Sequence, residues 1–409
     1  MAIKKFWVIA YRDLIRNRRR TILTLVAVAL GMMILIMMSG LIAGMVAGGL
    51  RDNIRLNTGH LQLRDDTYEI EKLSLLSRDL LQDSDSLISK AEALSEVQSA
   101  APVLWASGVL STVRESTGLA VTGIDPADDF HAPVRDGIVA GKYLKADDRG
   151  QILIGKRLAD DMDIIVGQRV SLAMGGADGQ VDEGIFTVTG LFNTGIINYD
   201  QNTVIMPLAQ AQTFSNSGNR ASSIIVMLKD QEDTAKVAAA LQAPGIQVLT
   251  WEDLNAILLT LMETAGAFYY VLYIIVILVV AVLIANTLLM SVFERTRELG
   301  ILASLGMKGR QIMLMVLFEA VILALLGVAA GLVLGATVVA YLARVGISFS
   351  ADAMGSIEGM ALGSKMYPAF APGDAITLSL LMFFIVSLVS IYPAWYAARM
   401  EPVKALHAL

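Results

Sequence analysis

The feature that most constrains this chain is the stretch 21–50, which holds no charged side chain. A helix needs roughly 20 apolar residues to cross a bilayer, and this run exceeds that. A secretory signal peptide has a shorter apolar core of roughly 7–15 residues, so the run predicts a retained anchor. Residues 264–293, 320–343 and 375–398 are likewise uncharged. At 55% hydrophobic and 17% charged residues, the chain is too apolar for an ordinary soluble domain. The excess sits in these blocks. The expected fold class is therefore an α-helical membrane protein with four transmembrane helices and a large α+β extracytoplasmic domain between helices 1 and 2. The spans are placed at 21–50, 264–293, 311–345 and 375–398.

Charge orients the spans. Lys4, Lys5, Arg12, Arg16 and Arg18 to Arg20 face one acid, Asp13, while Phe6, Trp7, Ala10 and Leu14 recur at helical spacing. Residues 1–20 thus read as a cytoplasmic amphipathic helix with its arginines at the headgroups. Arg295, Arg297, Lys308 and Arg310 make 294–310 net basic, and Arg399 and Lys404 do the same for the tail 399–409. The loop 346–374 carries Asp352 and Glu358 against Lys365. By the positive-inside rule both termini and 294–310 are cytoplasmic, and 51–262 and 346–374 are outside.

The external stretch is charged, punctuated by Gly and Asp, and of mixed periodicity. Coarsely, strands are expected at 60–64, 103–113, 119–124, 151–154, 169–173, 184–192, 222–228 and 246–249. Helical patterns cover 83–96 and 233–241, and Gly175, Gly176 and Gly179 predict a turn. The closing strand–helix–strand resembles the opening one. This suggests a split, porter-like part (51–115 and 220–250) interrupted by a β-rich insert (116–219).

Little in the chain can do chemistry. There is no cysteine, which excludes disulfides and thiol catalysis, and His60, His131 and His407 are too scattered for a metal site. The stretch 154–160 has a Gly-Lys pair without the rest of a phosphate-binding loop, and there is no Gly-x-Ser-x-Gly elbow. No catalytic, cofactor-binding or metal residue is assigned, and nothing points to nucleic acid. Any work must be driven from outside this chain. Gly40, Gly44 and Gly48, and again Gly327, Gly331 and Gly335, stand four apart and suit close helix packing. Glu319, at the start of the third span, is an ionisable residue at a membrane helix and is given a structural or coupling role. Pro393 and Arg399, at the exit of the fourth span, are placed with it.

The stretch 294–310, ERTRELGILASLGMKGR, is a short amphipathic helix between two spans, with Ile301, Leu302 and Leu305 on one side. It resembles the coupling loop of ABC-transporter permeases of the MacB/FtsX/LolCE class. Residues 12–31, 152–172 and 392–406 resemble, in order, that class's first span with its lead-in helix, its extracytoplasmic core domain and its exit from span four. The resemblance implies a complex with a cytoplasmic ABC ATPase dimer, which holds the ATP and Mg, and a second permease copy or paralogue. Glu294, Arg295, Arg297, Glu298, Leu299, Gly300, Leu302, Leu305 and Gly306 would then dock on the ATPase. The arginines and Glu298 would supply polar contacts, and Leu299, Leu302 and Leu305 apolar anchors.

Within that class, the layout and the NTGHLQL stretch (57–63) look most like the lipoprotein-releasing LolC/LolE type. That type implies a bacterial inner membrane, lipids around the spans and a periplasmic lipoprotein carrier. The 346–374 loop is longer than that type leads one to expect. An exporter of peptides or macrolide-like compounds, or an FtsX-like regulator of a cell-wall hydrolase that transports nothing, stay open as alternatives.

Overall fold

The computed structural model describes Arg12, Arg16 and residues 18–69, 75–348 and 365–399. Most of the expected 1–20 helix, of the 346–374 loop and of the 399–409 tail lies outside the described residues. In chain order come α1 (Arg18–Asn53), β1 (Leu61–Asp65), α2 (Ser84–Glu92), β2 (Val97–Ser111), β3 (Ser116–Ile124), β4 (Ile138–Gly141) and β5 (Gln151–Gly155). Then follow β6 (Arg169–Gly175), β7 (Val181–Phe192), β8 (Thr203–Pro207), β9 (Ser223–Leu228), α3 (Thr234–Leu241) and β10 (Ile246–Thr250). The chain ends through α4 (Ala256–Glu294), α5 (Thr296–Ser304), α6 (Gly309–Val345), α7 (Pro372–Val389) and α8 (Ile391–Ala398). It divides into two compact units, one of membrane-type helices and one built on the sheet.

In the helical unit, four helices among the described residues are long and apolar enough to cross a membrane: Arg18–Thr58, Ala256–Glu294, Gly309–Val345 and Pro372–Ala398. Their shared core includes Val28, Met32 and Ile36 of α1, Ile277 and Ile284 of α4, Leu323 of α6 and Met382 of α7. The glycines explain the closest approach. A methyl on Gly327 would lie 2.6 Å from Cβ of Val28, one on Gly331 2.5 Å from Cβ of Met32, and one on Gly335 2.7 Å from Cβ of Ile36. Gly40 returns the favour to Val339 at 2.9 Å. Because the partners advance in step, α1 and α6 run parallel, one turn against one turn. Gly44 meets the backbone of Tyr367 and Pro368, whereas Gly48 has open space around it.

The helix ends differ from those expected. α4 begins at Ala256, not 264, because the helix continues past Glu263 toward the Thr250–Asp253 capping box. The fourth span breaks between α7 and α8 at Ser390. Pro393 explains the break: it has no N–H to give the carbonyl four residues back. At the break, Ser390 N–H and Oγ both donate to the Val386 carbonyl, at 3.1 and 2.7 Å.

In the sheet unit, ten strands form one sheet with the path β10-β1-β9-β2-β3-β8-β5-β7-β4, and β6 pairs with β2 and β7. The expected strand positions are present, and the structure adds β4 and β8, of four and five residues, the latter buried throughout. Gly176 N–H donates to the Gln180 carbonyl at 2.6 Å in the β6–β7 turn, where Gly179 takes φ +82°. The antiparallel run β10-β1-β9-β2 interleaves β1–α2–β2 with β9–α3–β10. α2 and α3 cover one face, burying Leu61, Leu63, Ile224, Val226, Ala91, Val237 and Leu241 together. The expected edge of the insert at 115/116 falls in the β2–β3 turn, where Thr112 N–H donates to the Glu115 carbonyl at 2.8 Å. β2 is one continuous strand whose first half pairs with β9 and whose second half pairs with β3 and β6. A second apolar core, around Leu104, Ile152, Leu172 and Val188, grows from that second half.

Candidate functional site

Glu294 is the last residue of α4, and Arg295 leaves the helical region (φ −104°, ψ 12°) before α5 starts at Thr296. The Thr296 hydroxyl donates to the carbonyls of Phe293 (2.8 Å) and Val292 (3.1 Å), which ties the corner down. At the other end Met307 N–H reaches the Leu302 carbonyl and Gly306 N–H the Ala303 carbonyl, at 3.1 and 3.0 Å. That is a Schellman stop, and Gly306 is its left-handed residue at φ +95°. The glycine that looked like a docking contact is thus first a helix terminator. Gln311 Oε1 then accepts from Lys308 N–H at 2.9 Å, opening α6.

The residues expected to meet a partner divide into two sets. Leu299 is 3% exposed and packs with Val292, Ile312, Met315, Ala394 and Ala397; Leu302 is partly buried against the same cluster. Gly300 is also buried. Leu299 is therefore an internal anchor and not a free one. The outward side carries Arg297, Ile301, Ser304, Leu305 and Lys308, with Ile301 45% and Leu305 80% exposed. At spacings of three and four, Arg297, Ile301, Ser304 and Leu305 form one stripe, basic at its start and apolar beyond; Lys308, past the Gly306 turn, is exposed as well.

Arg295 faces an inward partner, whereas Glu298 pairs at the surface. Glu319, whose side chain is 5% exposed, takes Arg20 Nη2 at 3.0 Å and Arg295 Nη1 at 3.6 Å. Arg20 Nη1 stands 3.7 Å from Glu294, Arg295 Nε 3.2 Å from Glu298, and Arg16 Nη2 2.6 Å from Glu298. Charges alternate along the chain Glu294–Arg20–Glu319–Arg295–Glu298–Arg16 and link α1, α4, α5 and α6. The hydrogen bond from Arg16 holds the Glu298 carboxyl below its ordinary range, aided by Arg295. Arg20 was legible only as one of a basic run; nothing in the linear sequence paired it with Glu319, which follows 299 residues later. Farther along, Pro393 is buried at the α8 bend, and the Arg399 guanidinium stacks 4.3 Å from the Trp395 ring.

Among the described residues no cluster of His, Asp and Glu has the makings of a metal site. The arrangement holds helices at a fixed junction and presents a short basic–apolar surface beside it.

Comparison with known families agrees with that architecture. The MacB-like periplasmic core domain matches residues 21–243, and the FtsX-like permease C-terminal region matches residues 270–402. The chain belongs to the MacB/FtsX/LolCE family of ABC transporter permeases. It is 27% identical to an uncharacterized ABC transporter permease of Methanocaldococcus jannaschii, over 66% of this chain and 65% of that protein. It thus spans just under two thirds of that relative. It is 22% identical to the lipoprotein-releasing system transmembrane protein LolC of Neisseria meningitidis serogroup B, over 78% of this chain and 80% of LolC. It is 26% identical to the macrolide export ATP-binding/permease protein MacB of Hyphomonas neptunium, over 78% of this chain and 48% of MacB.

Proposed function

We propose that this chain is the permease subunit of a transporter in which a separate cytoplasmic ATPase dimer, holding ATP and Mg, drives a movement of the extracytoplasmic sheet unit. The observation that carries the reading is the division of α5: an inner face locked by Leu299 and the Arg20–Glu319–Arg295 cluster, and an outer stripe of Arg297, Ile301 and Leu305, with Lys308 exposed just past its end. A helix rigidly tied to the ends of three others transmits a push to all of them. Exposed apolar residues flanked by cations suit a groove with an acidic rim. Both termini and α5 lie on the cytoplasmic side, as the basic flanks require, in a bacterial inner membrane, with a second permease copy or paralogue completing the complex.

The cargo reading is release of lipoproteins toward a periplasmic carrier. It is supported by the alignment to LolC, which runs through 80% of that protein, against 48% of MacB. Export of macrolide-like compounds is the second reading, supported by the higher identity to MacB, 26% against 22%.

The test replaces Ile301 and Leu305 together by Asp, in full-length protein co-purified from native membranes. Loss of the ATPase from the complex, with the thermal midpoint unchanged, is expected. Undiminished ATPase capture and stimulation would remove the docking assignment. Recovery of wild-type protein without any ATPase would remove the transporter reading, and the lipidated proteins that co-purify decide the cargo.

A further inference from the structure

The sheet unit contains a cavity of about 520 Å³ against β1 and β10, on the face turned away from α2 and α3. The alternation of the strands fixes this: Leu61, Leu63, Ile246 and Val248 point into the helix-covered core, and Gln62, Arg64, Gln247 and Leu249 line the cavity. A buried strand face is ordinarily apolar, yet this one puts a guanidinium at its centre. Arg64 is 3% exposed.

Its surroundings are specified in detail. Gln62 Nε2 donates to the carbonyls of Asn57 (3.0 Å) and Thr58 (2.9 Å). This fixes the amide so that Oε1 must point at Arg64, where it accepts from Nε at 3.0 Å and from Nη2. The rings of Tyr68 and Trp105 hold the guanidinium from the sides, each centroid 5.7 Å from Cζ. Among the described residues no carboxylate pairs with it. Guanidinium has five N–H donors; one amide oxygen engages two, and three remain, beside a cavity. Burial lowers the proton affinity of Arg64 from its ordinary value, but a guanidinium stays charged. The lining carboxylate, Asp253, is engaged by the Thr250 N–H and hydroxyl at 2.9 and 2.7 Å. The remaining wall is largely hydrocarbon, from Leu249, Leu254 and Ile257.

We propose that this cavity binds an anionic amphiphile, its phosphate or carboxylate held by the free donors of Arg64 and its hydrocarbon laid against Trp105, Leu249 and Ile257. A planar guanidinium held between rings is pre-set for bidentate contact with an oxyanion, and the adjoining apolar wall would be poorly matched by a small hydrated ion. The inference stands apart from the ATPase docking reading and does not depend on it. Such an amphiphile has two sources: an anionic phospholipid of the surrounding leaflet, or a single-chain amphiphile from solution.

The test uses the full chain in a non-ionic detergent, with dodecyl phosphate, phosphatidylglycerol in mixed micelles, and inorganic phosphate as probes. Binding is read by calorimetry and by the shift in thermal midpoint. Wild type is expected to bind dodecyl phosphate or phosphatidylglycerol about tenfold or more tightly than Arg64→Met, the loss expected for charge-assisted hydrogen bonds. Preference for phosphatidylglycerol identifies the leaflet as the source, and preference for dodecyl phosphate identifies solution. Equal binding by wild type and Arg64→Met for both amphiphiles overturns the proposal, and so does inorganic phosphate binding as well as either. Should Arg64→Met not fold, Ile257→Trp fills the cavity from an exposed position while keeping the cation. It is expected to weaken amphiphile binding, and undiminished binding would overturn the proposal.

Discussion

Two parts of this molecule bury guanidinium groups, and they do so by opposite means. At the α4–α5 corner, Arg20 and Arg295 share Glu319, and the exposed ends of the chain of charges are closed by Glu294, Glu298 and Arg16. In the sheet unit, Arg64 has an amide and two rings and, among the described residues, no carboxylate. A network of opposite charges fixes geometry, since each guanidinium is held between carboxylates and removing the shared carboxylate takes away its most buried contact. An uncompensated cation fixes nothing comparable; it leaves a demand for an anion. The first arrangement suits a joint and the second a receptor. His131 in the sheet unit shows a third solution. It is 3% exposed with Nδ1 unpartnered, and burial pushes it down to about 3, so it enters the core neutral.

The sharpest way to break this contrast is Glu319→Gln. It removes the buried carboxylate between two guanidiniums, leaving each only a half-exposed partner, Glu294 or Glu298, and is expected to destabilise the helical unit by about 3 kcal/mol, read as a fall in the unfolding midpoint in detergent. Arg20→Met with Glu319→Met should recover much of the loss, and an additive double-mutant cycle would show that the network is not a unit.

Next in size is the pH dependence of His131. The unfolded state takes up the proton near pH 6.5 and the folded state only near 3, so U binds more protons throughout that window. Stability therefore falls as the pH drops, by about 2 kcal/mol from this residue at pH 5. His131→Phe should flatten the thermal midpoint between pH 7 and 5. An equally steep profile in the variant would assign the acid sensitivity elsewhere.

Gly331→Val drives a side chain into Ala29 and Met32. It is expected to cost about 1–3 kcal/mol by overpacking, whereas Gly48→Val, with open space around it, should cost far less by the same assay. Arg64→Met is the informative small effect. Without ligand it should change stability by no more than about 1 kcal/mol, because a buried cation is exchanged for hydrocarbon of similar length. A loss as large as that of Glu319→Gln would mean that Arg64 is structural cement after all. Smallest of all is Glu298→Gln. Its pairs are half exposed, worth at most about 1 kcal/mol and weakened by salt. Its contribution is present above the ordinary carboxylate range and disappears as pH falls through the depressed value.

Legibility in the sequence followed the range of the interaction. The membrane helices were legible because a bilayer demands a long uncharged run, and a run is a local property. Strand positions were legible in β6, where one face is buried and the other is wet, and in the apolar run of β9; the five-residue β8, buried throughout, and the four-residue β4 gave no signal. The α5 stretch was recognisable from its charge and periodicity, but its inner and outer sides were not. Leu299 and Leu305 both read as anchors; only the cluster with Ile312 and Ala394 makes the first internal and leaves the second exposed.

By itself, then, the sequence determined the number of long apolar helices, the basic character of the segments flanking them, the glycine stripes and the absence of thiol chemistry, each a matter of composition or short-range spacing. Tertiary structure alone decided which glycine meets which side chain, that Glu319 lies between Arg20 and Arg295, and that Arg64 meets an amide and two rings and, among the described residues, no counter-charge. The physical reason is that pairing, burial and cavity walls depend on residues brought together from distant parts of the chain, and charge or hydropathy read along the backbone carries no record of who arrives opposite whom.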